Sequence, residues 1–542
     1  MKYGLIAGAS CLALATAATA QPLESMDGDV IVVTGQKIDR TLQETATSVR
    51  VYDLEAIEEQ NFINLFDILD QTANVSTGFD DSVFTIRGVR NAGAGLGDVT
   101  SDVSTIYVDG VFLPRNLFAN GALNLWDISS VEIFRGPQST IQGRNALAGA
   151  IVIDTVDPST TEESLRGQFS YADYNTYRAS ASVSTPVIEN QVGISVSIDR
   201  SSSDGFIDNP TLNISDSGAT DVTTFRAKTL ITPEVMPNLS VLLGYTHIDD
   251  TARENRVVEE LFGDERINTE NLQSFTDTVA DIGSVEINYD IGENWSVTSV
   301  SGYIENELEF FGDSTRDASG EDANSFTQTN EEIFSQELRA AYNGDRVTGL
   351  LGVYYFNRSG DTSNVNTSFV GTDFAFPDPA TFAGILFSTP TPDAAEIAIA
   401  TGLRSQIVGL VPEFTVEFER ASDIDIENYA IFGELTVDLT EKFALTLGAR
   451  YDDETIEQNV FDETIVPPLP SSGDATIDGI LDLTAAQFTN AVAVENVDNS
   501  FSAFLPKAQV TYNWTENVST SLSYQRAYRA GGLSINTFRA AL

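Results

Sequence analysis

Residues 504–525 read FLPKAQVTYNWTENVSTSLSYQ, and this stretch decides the class of fold. Its first half places Phe504, Ala508, Val510, Tyr512 and Trp514 on one face and mainly polar side chains on the other. After a short polar turn, the second half alternates in the same way. Two alternating runs joined by a tight turn predict a β-hairpin with one apolar and one polar face.

The same pattern extends upstream to about Leu165 and predicts about 13 strands. Alternation alone would also fit a soluble sandwich. However, tight turns and longer, mostly polar connections follow one another strictly after one short early loop near Asn175. An up-and-down barrel in an outer membrane has this arrangement. The tight turns lie near 189–190, 233–237, 292–294, 343–346, 440–442 and 515–517, and the long connections span 201–221, 249–277, 312–330, 358–418 and 457–499.

Aromatic residues cluster at both ends of the predicted strands, as two water–lipid interfaces favour. One group lies near the tight turns and the other near the long loops. The first comprises Tyr289, Trp295, Tyr342, Phe443, Tyr512 and Trp514, and the second Tyr245, Tyr303, Tyr429, Tyr451 and Tyr528. The predicted fold class is therefore an all-β transmembrane barrel.

The N-terminal part of the chain has a different pattern. Residues 1–20 combine Lys2, an apolar stretch and a small-residue Ala-Thr-Ala ending, which is typical of a secretory signal peptide. Cys11 lies inside this segment, with too little apolar sequence before it to favour a lipoprotein site. Residues 41–158 mix short helical and strand patterns, which predict a small α+β domain ahead of a barrel over 159–542.

Composition disfavours several classes of function. With 29 Lys and Arg against 80 Asp and Glu, the net charge of −51 excludes a phosphate-binding face for nucleic acid. No apolar run after the signal is long enough for a helical membrane span. Cys11 and His247 are the only cysteine and histidine, so thiol, His-based and cysteine–histidine metal chemistry are disfavoured, and no enzyme, metal or cofactor is predicted.

Three sets of motifs resemble the TonB-dependent outer-membrane receptor family, of the iron-complex receptor type. DVIVVTG at 29–35 resembles its TonB box, within a leading segment at 21–40. VFTIRGV at 83–89, IYVDG at 106–110 and VEIFRGPQSTIQGRNALAGAIVI at 131–153 resemble its plug domain. FSQELR at 334–339, YAIFGEL at 429–435 and YQRAYRAGG at 524–532 resemble its barrel strands. The long plug match is highly specific, whereas the box alone would be weak.

The resemblance implies that TonB, with its inner-membrane energising complex, is the partner that binds the box. A short β-branched segment can add a strand to a partner's sheet edge; an ordinary first strand is the alternative. The box residues are Asp29, Val30, Ile31, Val32, Val33 and Thr34. The plug-motif residues are Arg87, Gly88, Asp109, Gly110, Glu132, Arg135, Gly136, Pro137, Gly143, Arg144 and Gly149.

The plug arginines would lie in a polar, acidic lumen. Alternation directs Glu337 and Glu434 inward, so we predict that Arg87 and Arg135 pair with them, as in similar receptors. The alternative is that these arginines only satisfy plug carbonyl groups.

The sequence also departs from the family pattern. Ala73-Asn74 replaces the Pro-Gly that commonly follows the first plug helix. Plugged transporters have about 22 strands, so we expect a C-terminally truncated barrel with open edges. Only a few residues separate the predicted cleavage site from Asp29, so we expect no signalling domain.

The leading hypothesis is energy-coupled uptake of a scarce ligand across the cell outer membrane, by plug displacement. A ferric siderophore is the first expectation from the resemblance, while cobalamin, haem or a carbohydrate remain open. The alternative is a passive porin-like or adhesin barrel, which would need neither plug nor box. An exported hydrolase would need a nucleophile with a base, for which the chain offers only His247.

Overall fold

The computed structural model describes residues 32–38, 40–42, 44–78, 83–91, 102–117, 123–253, 266–313, 323–371, 378–515 and 518–529. The predicted signal peptide and the box residues Asp29, Val30 and Ile31 lie outside these residues. Within the described part of the chain, no helix is long and apolar enough to cross a membrane.

The described residues of the N-terminal domain form three small sheets and three short helices. Five strands pair in the order β3-β9-β10-β7-β8, three in the order β4-β5-β6, and β1 pairs with β2. The strands are β1 Val32–Val33, β2 Arg40–Thr41, β3 Val49–Asp53, β4 Val75–Thr77, β5 Phe84–Ile86, β6 Val89–Arg90, β7 Ser104–Val108, β8 Val111–Leu113, β9 Ile128–Arg135 and β10 Gly149–Thr155. The helices are α1 Leu54–Glu59, α2 Leu65–Gln71 and α3 Ser139–Gln142, and a 3-10 turn spans Arg115–Leu117. This confirms the predicted α+β domain.

Residues 53–69, whose apolar side chains recur at roughly helical spacing, form two short helices. Asp53 caps α1, and Asn64 forms a capping box with Asp67 at the start of α2. Asn61 between them has a left-handed backbone with φ of 53°, which ends the first helix. The apolar period therefore marks the buried side of both helices but not their boundary.

Most of the remaining described residues form one antiparallel sheet of 13 strands. Its strands pair with their neighbours in chain order, with β11 and β25 as its edges. They are β11 Ser164–Ala172, β12 Thr176–Ile188, β13 Val192–Ser203, β16 Thr220–Ile231, β17 Leu239–Arg253, β18 Phe275–Ile291, β19 Trp295–Asp313, β20 Asn324–Asn343, β21 Val347–Gly371, β22 Glu413–Thr440, β23 Phe443–Ile465, β24 Asn490–Thr515 and β25 Val518–Gln525; the hairpin β14 Ile207–Asn209 and β15 Ile214–Ser217 lies in the first long connection. The predicted strand count and the order of tight turns and long connections are confirmed.

The long connections are more structured than their polarity suggested. Helices α4 Pro379–Leu386, α5 Ala394–Leu410 and α6 Ala475–Phe488 lie in two of them. These helices share an apolar core that includes Phe382, Ile407 and Leu481. The flanking strands reach up to 28 residues, far beyond the about 9–11 residues that cross a bilayer.

Apolar side chains cover the outer face of the sheet, including Trp295, Leu351, Tyr429 and Trp514, all at least half exposed. An outward apolar face at both strand ends is what lipid contact requires. Tyr528 differs from the prediction: it follows β25 and packs against Phe501, with a buried hydroxyl group. The aromatic pattern thus holds along the strands and fails after Gln525.

The small domain packs against inward-facing residues of the 13-stranded sheet and shares a hydrophobic core with it. Plug residues such as Val111, Leu113 and Leu117 belong to one buried cluster with wall residues such as Ile248 and Ile304. The inward wall residues of this cluster form what we call the apolar girdle: Ile248, Ala280, Ile282, Ile304, Ile333, Phe356, Ile426 and Ile456. The lumen, predicted to be polar, is therefore apolar at the level of the girdle.

Candidate functional site

The last box residues are docked against the plug. Glu132 of β9, which is 1% exposed, accepts hydrogen bonds from the backbone N–H and hydroxyl of Thr34 at 2.7 and 2.9 Å. Its second oxygen accepts from the Gly35 N–H at 3.0 Å. A carboxylate that accepts several donors forms strong, charge-assisted bonds. Glu132 therefore fixes the point where the box segment meets the folded domain.

Apolar packing and a second carboxylate reinforce this contact. Val33 is fully buried in a cluster with Val51 and Phe134, whereas Val32 is 46% exposed. The Thr34 hydroxyl also lies 3.0 Å from Asp154. Burial raises the pKa of Asp154 to about 6, and the carboxylates of Asp109 and Glu132 add to the rise. The docked segment thus lies against a plug surface that is crowded with acids.

Two cations directly after the box reach the barrel wall. Lys37 Nζ lies 2.5 Å from Glu337, which also pairs with Arg339 of the same wall strand at 2.9 Å. Burial lowers the pKa of Lys37, although the Glu337 carboxylate opposes that shift. The first wall carboxylate is therefore shared between one plug cation and one wall cation.

Arg40 makes an equivalent contact with β22, two strands further along the wall than β20. Its guanidinium lies 3.2 Å from Glu434, whose other oxygen is 2.7 Å from Lys507. Both glutamates therefore face the plug, as alternation along β20 and β22 predicted. The plug cations that they meet lie in the box segment.

The predicted partners of these glutamates lie elsewhere. Arg135 donates to the Ala73 carbonyl at 2.8 Å, which is the alternative of a plug-internal contact. Arg87 lies at a tight turn with a left-handed φ of 53°, against Gly136. Arg135 ends the interior strand β9 and Arg87 lies in the turn between β5 and β6, and neither side chain pairs with Glu337 or Glu434 among the described residues.

Arg144 is the motif arginine that does pair with the wall. Its guanidinium meets Glu454 of β23, with Nε–Oε2 at 2.8 Å, and the glutamate side chain is 0% exposed. Beside it, Arg450 pairs with Asp452 at 2.8 Å and packs on Gly143, where a Cβ atom would lie 2.5 Å from the guanidinium. The turn after α3 therefore packs the plug against strands β22 to β24 of the wall.

The turn at Asp109–Gly110 forms the opposite contact. Both residues have positive φ, of 48° and 76°, as a two-residue hairpin turn requires. Asp109 accepts from the backbone and hydroxyl of Thr155 at 2.9 and 2.8 Å, and lies 3.2 Å from Lys228 of the wall. The turn therefore carries the acid that joins the plug sheet to β16.

The remaining motif residues have structural positions in the plug. Gly88 completes the β5–β6 turn with φ of 78°. The Gly136 N–H donates to Ala148 at 2.8 Å, and the Pro137 carbonyl accepts from Gln525 at 2.5 Å. Gly149 crosses β9 so closely that a Cβ atom would lie 2.2 Å from the Phe134 carbonyl oxygen.

Glycine also permits close contact between the plug and the wall at β19. A Cβ atom at Gly302 would lie 2.6 Å from a methyl group of Val111, and one at Gly110 would lie 3.1 Å from Val300. On the tight-turn side of this contact, a cavity separates the plug from β17 to β20, and Thr34, Lys37 and Glu337 are among its lining residues. The box segment therefore lies at the edge of a space between plug and wall.

Sequence reasoning missed Lys37, Arg40, Lys228 and Glu454. Lys37 and Arg40 follow the box within six residues of Thr34, and their charge in an acidic chain was an available signal. Alternation directs Glu454 inward on β23, so it could have been added to the wall carboxylates. Among the described residues, no group of three or more His, Cys, Asp or Glu side chains could hold a metal ion.

Family models match most of the chain. The model described as "TonB-dependent Receptor Plug Domain" matches residues 41–150. The model described as "TonB dependent receptor-like, beta-barrel" matches residues 237–541.

Individual proteins show the same likeness over shorter spans. The pesticin receptor of Yersinia pestis is 33% identical over 157 residues, which are 29% of this chain and 22% of that protein. The ferrioxamine receptor of Yersinia enterocolitica is 27% identical over 132 residues, covering 23% of this chain and 18% of that protein. These matches thus span about a fifth of the length of either relative.

A solved structure shares the fold over most of this chain. The crystal structure of the ferric yersiniabactin uptake receptor FyuA from Yersinia pestis superposes with a TM-score of 0.65 at 18% identity. The superposition covers 88% of this chain and 64% of that receptor. At this identity, the likeness shows a common architecture of plug and barrel.

Proposed function

This chain belongs to the TonB-dependent receptor family, and on that premise we propose that it takes up a scarce ligand across the outer membrane by energy-coupled displacement of its plug. A ferric siderophore is the ligand class we propose first. The inner-membrane TonB complex would supply the force.

The observation that carries this proposal is the connection between the box and the plug–wall contacts. Within seven residues, Thr34 binds Glu132, Lys37 binds Glu337 and Arg40 binds Glu434. A pull applied before Thr34 would load these contacts in order along the chain. Charged contacts that are individually modest and arranged in series can be broken one after another, which supports stepwise displacement of the plug.

TonB would bind the box by strand addition. Val32 is exposed and needs only to leave its two-residue pairing with β2 to offer its backbone to a partner edge. Val33 and Thr34 are held by the plug, so binding that extends past Val32 requires the Glu132 contact to open. This order supports a role for the contact in controlling how much of the box is accessible.

The ligand class rests on similarity. The matched relatives are named for pesticin and ferrioxamine, and the superposed structure is a ferric yersiniabactin receptor. Since this chain spans about two thirds of that structure and a fifth of the relatives, the cargo is proposed for the full-length receptor. Growth of a deletion strain on a panel of ferric siderophores would identify it.

The test of TonB dependence is a receptor without its box. Deleting Asp29–Thr34 should abolish uptake of the identified iron complex while surface binding persists. Val32→Pro is a milder second variant, because proline removes a backbone donor and leaves the Val33 and Thr34 contacts in place. Unmodified receptor in cells that lack TonB should behave like the deletion. Normal uptake by the deletion variant would refute the proposal and favour a passive pore.

A further inference from the structure

Three neighbouring polar side chains project from the wall into the lumen beside the apolar girdle. Asp250 of β17 lies directly opposite Thr278 of β18, and Asn306 of β19 is opposite Ala280, the next inward residue after Thr278. Thr278 is therefore within reach of Asp250, its direct neighbour, and of Asn306, its diagonal neighbour. We call Asp250, Thr278 and Asn306 the polar cup.

The polar cup is buried, and five of its polar atoms have no hydrogen-bond partner among the described residues. They are both oxygens of Asp250, the hydroxyl of Thr278 and both amide atoms of Asn306. The three side chains are 1%, 1% and 3% exposed. Buried polar groups in native proteins nearly always have partners, so a cluster without protein partners marks a position where water, an ion or a ligand group supplies the missing hydrogen bonds.

Asp250 also differs from the other buried acids of the wall. Glu331 pairs with Arg358, Glu337 with Lys37, Glu434 with Lys507 and Glu454 with Arg144. Among the described residues, the charged groups that act on Asp250 are two further carboxylates, Asp249 and Asp277. A buried carboxylate among like charges is unfavourable until a cation joins it.

We propose that the polar cup binds a protonated primary amine carried by the transported ligand; this rests on the proposed uptake function. An ammonium group has three N–H donors, which match the carboxylate of Asp250, the hydroxyl of Thr278 and the amide oxygen of Asn306. The carbon chain next to the nitrogen would reach Ile248, Ile282 and Ile304 of the apolar girdle only after the plug moves, because the plug covers these residues. An organic cation fits better than a metal ion, because the cup has a single carboxylate.

Cysteine chemistry tests the cup without knowledge of the ligand. Cys11 is the only cysteine within residues 1–542 and lies in the predicted signal peptide, so Thr278→Cys adds a thiol whose reaction is read against the receptor without that substitution. Its reaction rate is measured with aminoethyl methanethiosulfonate, a compact primary ammonium, and with the sulfonatoethyl reagent of opposite charge. The measured quantity is the ratio of the two rate constants, in receptors with Asp250 and with Asp250→Asn.

The cup should favour the ammonium reagent, and Asp250→Asn should lower the rate ratio about tenfold, because one nearby charge acts on the two reagents with opposite sign. Asp249→Asn is the matched control on the outward face and should change the ratio less than twofold. Asp250→Glu should keep most of the preference, which separates loss of charge from loss of folding. An unchanged ratio in Asp250→Asn, or a thiol that neither reagent reaches, would overturn the proposal. Neither result depends on iron uptake or on the box, so a failure of the proposed function would appear separately.

Discussion

The Glu132 contact gives a quantitative prediction for how tightly the box segment is held. Glu132→Gln keeps the shape of the side chain but removes its charge and replaces one acceptor with an N–H donor. If the amide oxygen stays with Thr34, the Gly35 N–H loses its acceptor and faces a donor. Losing one charge-assisted bond and weakening two others destabilises the docked state by about 3 kcal/mol, after allowing for relief of repulsion with Asp154.

A free-energy change of about 3 kcal/mol corresponds to roughly a 100-fold rise in the undocked population. Val33→Cys reports it, because Val33 is fully buried when the segment is docked and a thiol there reacts only after local opening. The maleimide labelling rate of Val33→Cys is compared in outer-membrane vesicles with and without Glu132→Gln.

The labelling rate should rise about 100-fold in the Glu132→Gln background. Glu59→Gln, which alters an exposed plug carboxylate, is the matched control and should leave the rate unchanged. A rate within threefold of the parent would mean that Glu132 does not hold the segment. An equal rise in the Glu59→Gln control would attribute the effect to net charge.

Three further predictions concern the plug and its contact with the wall. Arg144→Met should destabilise plug docking by about 3–5 kcal/mol by leaving a buried carboxylate unpaired, and adding Glu454→Gln should restore most of the urea resistance; equal losses in the single and double variants would refute this. Asp154 has its pKa raised to about 6 by burial, so the folded plug binds a proton more tightly than the unfolded chain, and stability should fall as pH rises from about 4 towards 7. Asp154→Asn should reduce the loss of unfolding free energy between about pH 4 and pH 7 by at most about 3 kcal/mol. A loss equal to that of the parent protein would contradict the assignment. Gly302→Val should weaken docking by about 1–3 kcal/mol through overpacking against β8, whereas Gly283→Val, which meets no atom closer than 4.0 Å, should be tolerated; equal effects would show that the glycine contact is unimportant.

The sequence predicted the barrel strands well because each strand has one face towards lipid and the other towards the lumen, which produces a clear alternation of side chains. Alternation along β24 separated outward Phe504 and Trp514 from inward Lys507, and the structure has them on those faces. The loop helices α4 to α6 were missed because their apolar residues pack on one another in a cluster away from the strands, within long connections that are polar on average. The apolar girdle was missed for a different reason. Its isoleucines are inward residues, and only contact with a plug, which is a tertiary feature, makes an apolar side chain favourable there.

The candidate site was predictable in its parts but not in its pairing. Alternation identified Glu337 and Glu434 as inward wall acids, yet the residues that reach them depend on how the box segment folds back across the lumen. Lys37 and Arg40 are separated from these acids by 300 and about 390 residues, so no local pattern could connect them. The motif arginines Arg87 and Arg135 were expected there by resemblance, and the plug's own turns use them instead.

The central claim is that ligand passes only when the plug moves relative to the wall, and a reversible tether tests it most directly. Val111→Cys with Gly302→Cys places two thiols at the closest plug–wall contact, where a Cβ atom on Gly302 lies 2.6 Å from a Val111 methyl group, close enough for a disulfide. Uptake of the radiolabelled ferric siderophore is measured in the full-length receptor before and after reduction, with each single cysteine as a control. The account predicts that the oxidised receptor binds ligand at the surface without transporting it, and that reduction restores transport. Transport at the parental rate with the disulfide intact would contradict it.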